Sequence, residues 1–196
     1  IYGCTDSLAF NYNPLATLNY GCDYGMTYVP DDNFEQKLID LGIDTDSILN
    51  DSVATVNIKF LTSLTVSYSS IADLTGIEDF NALTYFSMSN TNLTSLDLSA
   101  NTALIDISLN DNQFLTSIDI SQNTALTGIQ LVENNLLTSL DLSNNTALYG
   151  LYLWQNNQLT SLDLSSNTAL GFIYLVENNQ LISLDLRNGN NYNLYL

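Results

Sequence analysis

Leu-Asp-Leu stands at residues 96–98, 140–142, 162–164 and 184–186, with Ile-Asp-Ile at 118–120, so one phrase returns every 22 residues. A fixed period of this length marks a unit that stacks on copies of itself along one axis. The pattern also repeats at half the period. Leu93-x-x-Leu96-x-Leu98-x-x-Asn101 is followed by Leu104-x-x-Ile107-x-Leu109-x-x-Asn112. Each half contains one strand-length stretch bounded by Asn, Ser and Thr, too short to bury its apolar face alone. The expected fold is therefore a mostly β, right-handed solenoid of 22-residue coils. Each coil contributes one strand to each of two parallel sheets flanking a narrow core.

Two asparagine columns follow from the same spacing. Asn101, Asn123, Asn145 and Asn167 form one, and Asn112, Asn134, Asn156 and Asn178 the other. Buried at the bends, their amides can satisfy backbone groups of adjacent coils. Residues 61–93 read as a less regular entry. Upstream, "VPDDNFEQKLIDLGID" predicts one amphipathic helix: Pro30, Asp31 and Asp32 start it, Phe34, Leu38, Ile39 and Leu41 form its apolar stripe, and Gly42 stops it. A helix here serves as a cap on the stack. The expected organisation is a Cys-bracketed module over 1–28, a helical cap over 29–60 and the solenoid over 61–196.

The half-repeat L-x-x-L-x-L-x-x-N, together with the near-verbatim "TSLDLS.NTAL", resembles leucine-rich repeats of bacterial surface proteins, the internalin-like group. It is most similar to the secreted "LTSLDLSNNTAL" type common in Bacteroidetes-like bacteria. The resemblance spans residues 29–196. "GCTDSLAFNYNPLATLNYGC" separately resembles a small Cys-bracketed module of such secreted proteins. The resemblance implies export or surface display, ligand recognition or adhesion, and no catalysis. The chain departs from it at the second strand, where relatives often carry cysteine and this chain has Met88, Leu109, Leu131, Leu153 and Leu175.

The two sheets follow different rules outward. On the first, Ser95, Asp97 and Ser99 recur with little change, so Asp97, Asp119, Asp141, Asp163 and Asp185 form a carboxylate column. The preferred reading is a solvated ladder that keeps the surface soluble and resists lateral pairing. Weak Ca²⁺ binding between carboxylates and serine oxygens is the alternative, as the basis of a structural or adhesive spacer. Ice or ordered-water binding is a distant third. On the second sheet the outward residues vary, and the last three rows bring together Val132, Tyr152, Trp154, Phe172, Tyr174 and Val176. A contiguous apolar and aromatic area suits a glycan or protein ligand. The alternatives are coverage by another segment or copy, or cross-strand packing with no partner.

Charge narrows the partners. With 21 acidic and 3 basic residues, no histidine and net charge −18, the chain is unsuited to nucleic acid or anionic lipid. No apolar run approaches the length of a membrane span. Without histidine, a Ser or Cys nucleophile lacks its usual base, so no enzyme is expected. Cys4 and Cys22 as a disulfide would close a loop worth about 3 kcal/mol and imply an oxidising, extracellular setting. Two free thiols are the other reading, and a zinc site is disfavoured. Asp6, Asn11, Asn13 and Asp23 in that module suggest either a cation cluster or Asx turns around Pro14. "DTDSILND", with Asp44, Asp46, Asn50 and Asp51, is read as a helix-terminating turn in preference to a calcium loop. It has Ile48 where an oxygen ligand is needed. The chain begins at Ile1 without a signal-peptide pattern, which suggests a mature or trimmed form. It ends on "LDLRNGNNYNLYL", a strand-like phrase whose exposed edge could pair with a continuing chain or a second copy.

Overall fold

The structure is a computed structural model that describes residues 1–7, 9–67, 70–189 and 193–196. At the N-terminus, β1 (Tyr2–Gly3) and β2 (Leu18–Asn19) pair in parallel, and a Cys4–Cys22 disulfide closes the loop containing β2. The polar residues of this module form Asx turns. Asn13 Oδ1 accepts from the Leu15 N–H, and Asp23 Oδ1 accepts from the Gly25 N–H. Asn11 Oδ1 accepts from the Asp23 N–H. The Asp6 carboxylate accepts from the Tyr24 hydroxyl at 2.6 Å and lies 3.6 Å from the Lys59 ammonium, which also sits 3.7 Å over the Tyr24 ring. This buried lysine ties the module to the segment that follows.

β3 (Met26–Tyr28) pairs antiparallel with β4 (Ser52–Ala54), and between them runs α1 (Asp32–Asp40). Asp31 caps α1, its Oδ1 accepting from the Asn33 and Phe34 amides. Its Oδ2 accepts from the Ala72 and Asp73 amides and so fastens the helix to the first coil. Phe34 and Leu38 are fully buried, and Phe34 stacks on Phe80 at 6.4 Å. Leu41, expected on the apolar stripe, is exposed because the helix has already ended at Asp40. Gly42 then turns the chain at φ +69°, a conformation that favours glycine.

The loop after α1 is the helix-terminating turn expected from "DTDSILND". Asp46 Oδ1 accepts from the Ile48 N–H, and its Oδ2 accepts from the Asn50 side chain. One part was not anticipated. Glu35 is fully buried, and its carboxylate accepts from the amides of Asn50, Asp51 and Ser52. A short helix, α2 (Thr55–Ile58), leads into the solenoid.

One seven-stranded parallel sheet runs the length of the solenoid. Its strands are β5 (Ser63–Ser67), β6 (Tyr85–Ser89), β8 (Asp106–Asn110), β10 (Gly128–Val132), β11 (Gly150–Trp154), β13 (Phe172–Tyr174) and β15 (Leu194–Tyr195). Its register is in phase from coil to coil: Phe86 faces Ile107, Ile107 faces Ile129, and Ile129 faces Leu151. The entry is already regular on this side, since β5 and β6 pair over five residues. Its irregularity lies opposite, where residues 73–75, in the place of the strand, form none and a 3₁₀ turn (Ile77–Asp79) follows. Gly76 precedes that turn at φ +102°, where a β-carbon would also crowd the Tyr28 carbonyl.

The opposite side is discontinuous. β7 (Ser95–Asp97) pairs with β9 (Ser117–Asp119), and β12 (Ser161–Asp163) pairs with β14 (Ser183–Asp185). Residues 139–141 between them form no ladder, so the second expected sheet exists as two separate pairs. Three-residue strands make few ladder bonds, and here each neighbouring coil sets carboxylate beside carboxylate. Consistent with weak pairing, the Thr138 amide is 3.5 Å from the Thr116 carbonyl, against 2.9 Å for Thr116 to Thr94.

Leucines and isoleucines of both sides fill the core, with Leu98, Leu104, Leu109, Leu115, Leu126, Leu131, Leu137 and Leu153 fully buried. Each such side chain contributes about 1.5–3 kcal/mol by leaving water. Both asparagine columns are buried at the bends. Asn134, Asn156 and Asn178 donate to the carbonyls of Leu109, Leu131 and Leu153. Asn123, Asn145 and Asn167 each donate to two carbonyls, such as Ile120 and Asn123 for Asn145.

Candidate recognition face

On the seven-stranded sheet the inward positions are uniformly apolar. Ile107 and Leu109, Ile129 and Leu131, Leu151 and Leu153, and Ile173 and Leu175 are all buried. Side chains alternate along a strand, so the residues between them point to solvent. Register arranges these into rows across the sheet. One row reads Tyr85, Asp106, Gly128, Gly150, Phe172, and the next Ser87, Ser108, Gln130, Tyr152, Tyr174, Tyr195. The third reads Ser89, Asn110, Val132, Trp154. Val176, just past β13, continues it, with its carbonyl accepting from the Gln155 amide.

The six residues singled out from sequence therefore lie on adjacent coils of one face. All six are half-buried rather than freely exposed, and for Tyr152, Phe172 and Tyr174 the cover comes from neighbouring rings. Tyr152 and Tyr174 stack with ring centroids 4.3 Å apart and an interplanar angle of 1°. Tyr195 extends the cluster at 6.2 Å from Tyr174 and 5.7 Å from Phe172. This addition comes from the final strand-like phrase, which pairs with β13 as β15 (Leu194–Tyr195). Burial against the neighbouring ring pushes the Tyr152 hydroxyl above its ordinary pKa, with the Tyr174 hydroxyl adding to the shift. Trp154 has no aromatic neighbour in stacking range and no hydrogen bond to its indole N–H among the described residues.

One rim of this face was missed entirely. The residue that follows each member of the third row turns through positive φ: Asn90, Asp111, Glu133, Gln155 and Glu177, all between +55° and +59°. Sharing a hydrogen bond with Asp111, and repelled by its charge, the Glu133 carboxyl is held above the usual carboxylate range. Gln155 donates to Glu177 at 2.5 Å. The signal was available as a polar residue immediately before every buried asparagine of the second column.

The aspartate column has a local explanation. The oxygens Oδ1 of Asp97, Asp119, Asp141, Asp163 and Asp185 accept from the amides of Ser99, Ser121, Ser143, Ser165 and Arg187, at 2.8–3.0 Å. Each aspartate thus forms an Asx turn that bends the chain out of its strand. The amides of Ser121 and Ser143, then their hydroxyls, lower the pKa values of Asp119 and Asp141. The Ser165 hydroxyl leads at Asp163, and the Arg187 guanidinium at Asp185. A cation bound along this column would find one oxygen of every aspartate already holding a backbone amide. Asp32, Glu35 and Asp51 also bring carboxylate atoms within 4.8 Å of one another, but both Glu35 oxygens already cap the 50–52 loop.

Stacked coils with L-x-x-L-x-L-x-x-N halves, buried asparagine columns and a helical cap define a leucine-rich-repeat solenoid. No protein-family model matches the chain. A stretch of 75 residues is 39% identical to internalin J of Listeria monocytogenes serotype 4b (strain F2365), covering 38% of this chain and 8% of that protein. Among solved structures, internalin F of Listeria monocytogenes 4b F2365 superposes with TM-score 0.59 and 24% identity, covering 80% of this chain and 49% of that one. A functional domain of InlJ from Listeria monocytogenes that includes a cysteine ladder matches at TM-score 0.37 and 20% identity, over 82% of this chain and 61% of that one. The chain spans only part of each, a small fraction of internalin J and about half of the internalin F chain. Its repeats are internalin-like, on the leucine-rich-repeat fold.

Proposed function

We propose that the protein is a non-catalytic recognition or adhesion module, displayed or secreted outside the cell, that binds a protein or glycan through the outward face of the seven-stranded sheet. One observation carries this reading. On three consecutive coils the inward leucines keep to the repeat while the outward rows change to Val132, Tyr152, Trp154, Phe172, Tyr174 and Val176. Folding does not require these side chains, and large rings with polar ends are the residues that dominate recognition surfaces. The disulfide and the similarity to internalin J support an extracellular setting. No helix among the described residues is long and apolar enough to cross a membrane. The absence of histidine from the sequence, with both cysteines paired, supports a non-catalytic role.

The test is a parallel screen of glycans and purified extracellular proteins with the unaltered chain and with Trp154→Ala and Tyr174→Ala. Ligand capture lost in both variants, with folding retained, is the expected result. Capture unchanged in both would remove the face from consideration.

A further inference from the structure

We propose that a gap in this face, at Gly128 and Gly150, is a socket for a basic side chain, a guanidinium or ammonium group carried by a protein partner. The proposal rests on reading the seven-stranded sheet as the recognition face. Gly128 and Gly150 are register partners on β10 and β11, and they interrupt a row that otherwise bears Tyr85, Asp106 and Phe172. Two adjacent positions without side chains leave the Asp106 and Phe172 strands three spacings apart, about 14 Å. Neither glycine has a positive φ, so the backbone does not call for glycine at either place. Glycine inside a strand weakens it and commonly marks a place where a ligand comes close to the backbone. At Gly150 a β-carbon would meet nothing within 4 Å.

The walls of the gap set the chemistry of what enters. A β-carbon at Gly128 would overlap the Asp106 carboxylate, so that carboxylate lies across the strand toward the opening. No donor among the described residues pairs with it. Tyr85, Ser108, Gln130, Tyr152 and Phe172 also line it. Because Tyr174 covers one face of the Tyr152 ring, the other face is directed toward β10. One unpaired carboxylate among aromatic rings, over a bare backbone floor, is a cation-binding arrangement. An anionic group would be repelled by Asp106 and by the net charge of −18. A neutral sugar ring could stack and donate its hydroxyls to the carboxylate, but it would leave the charge itself unpaired on a surface of net charge −18. A planar guanidinium satisfies both walls, by stacking on a ring and pairing with the carboxylate.

The experiment titrates ¹⁵N-labelled protein with N-acetylarginine amide and with its neutral isostere N-acetylcitrulline amide, following the backbone amides by NMR. The expected result is a saturable shift of the Gly128 and Gly150 amides, with citrulline about tenfold weaker. Asp106→Asn should abolish the difference between the probes. Gly150→Phe should occlude the gap while resonances of distant coils stay in place, and Gly150→Ser serves as the second variant if the larger ring perturbs the sheet. Equal binding of both probes would overturn the proposal. So would arginine shifts spread over the acidic surface with no preference for the two glycines, or shifts there with methyl β-glucoside but not with arginine. Ligand capture that Trp154→Ala destroys and Gly150→Phe leaves intact would refute the socket and keep the face. Capture indifferent to both would remove the face itself.

Discussion

The side-chain oxygen of Asn134 accepts from the backbone N–H of Asn112 at 3.2 Å, one coil away, while its amide nitrogen donates to the Leu109 carbonyl at 2.9 Å. Asn134 is fully buried, and so is Asn112. The other column works differently. Asn101, Asn123, Asn145 and Asn167 donate to carbonyls, but their Oδ1 atoms are buried without a hydrogen-bond partner among the described residues. Asn134→Ala therefore orphans the buried Asn112 N–H, whereas the Ile120 and Asn123 carbonyls that Asn145 reaches still accept from the Asn123 and Leu126 amides, so Asn145→Ala leaves no group wholly unpaired. The expected cost is about 3 kcal/mol for Asn134→Ala and about 2 kcal/mol for Asn145→Ala, checked by urea denaturation.

Tyr174 lies between two other tyrosines, at 4.3 Å from Tyr152 and 6.2 Å from Tyr195. Tyr174→Ala removes both contacts and should lower stability by about 1–2 kcal/mol while the chain still folds. Trp154→Ala, with no ring partner, should cost less. Far-UV circular dichroism through thermal melts compares the two, and an equal or reversed order would contradict the stacked arrangement.

Acid should act on the aspartate column. The folded pKa values of Asp119, Asp141, Asp163 and Asp185 are lowered by donors in the next turn. Their contribution is fully present above the unfolded value, about pH 4, and is lost as pH falls through the folded values. The double variant Asp119→Asn and Asp141→Asn keeps an Asx acceptor but no longer titrates, so its Tm should decline less steeply below pH 4. If the column is a turn-forming device, Tm should also be the same in calcium and in EDTA.

Asp44 presents the opposite case. It is 2% exposed, its Oδ2 has no hydrogen-bond partner, and burial leads the effects that raise its pKa, followed by the charge of Asp46. A raised folded pKa means the charged form is disfavoured, so stability is gained as pH falls toward it and lost as pH rises through it. Asp44→Asn should raise Tm at pH 7 by about 2–4 °C and have less effect at pH 4. A lower Tm at pH 7 would show that the charge is needed there.

Residues with a period were legible in the sequence and residues without one were not. Leu96, Leu98 and Asn101 announce a coil because each recurs, and the inward and outward assignment of Tyr152 against Leu153 follows from alternation alone. Glu35 occurs once, and although its spacing from Leu38 and Ile39 sets it along the apolar stripe, nothing nearby in the sequence offers its charge a partner. Its burial depends on three amides contributed by a loop fifteen residues later. The broken second sheet was equally out of reach. Leu140-Asp141-Leu142 spells the same phrase as its neighbours, and only small differences in coil-to-coil distance separate a ladder from none. Gly128 and Gly150 were visible on the variable face, but their gap appeared only when register set them side by side.

The uniform coil also bears on how such a chain changes over generations. Leu140-Asp141-Leu142 and Leu162-Asp163-Leu164 end in the same geometry, with the Asn145 and Asn167 amides making equivalent bonds to the coil before. Excising one 22-residue period, from a point in one phrase to the same point in the next, or copying it, would rejoin the backbone at identical bends. Unequal recombination within the gene could thus slide Gly150 or Trp154 to a new neighbour in one step, reshaping the face without a single new core contact to solve.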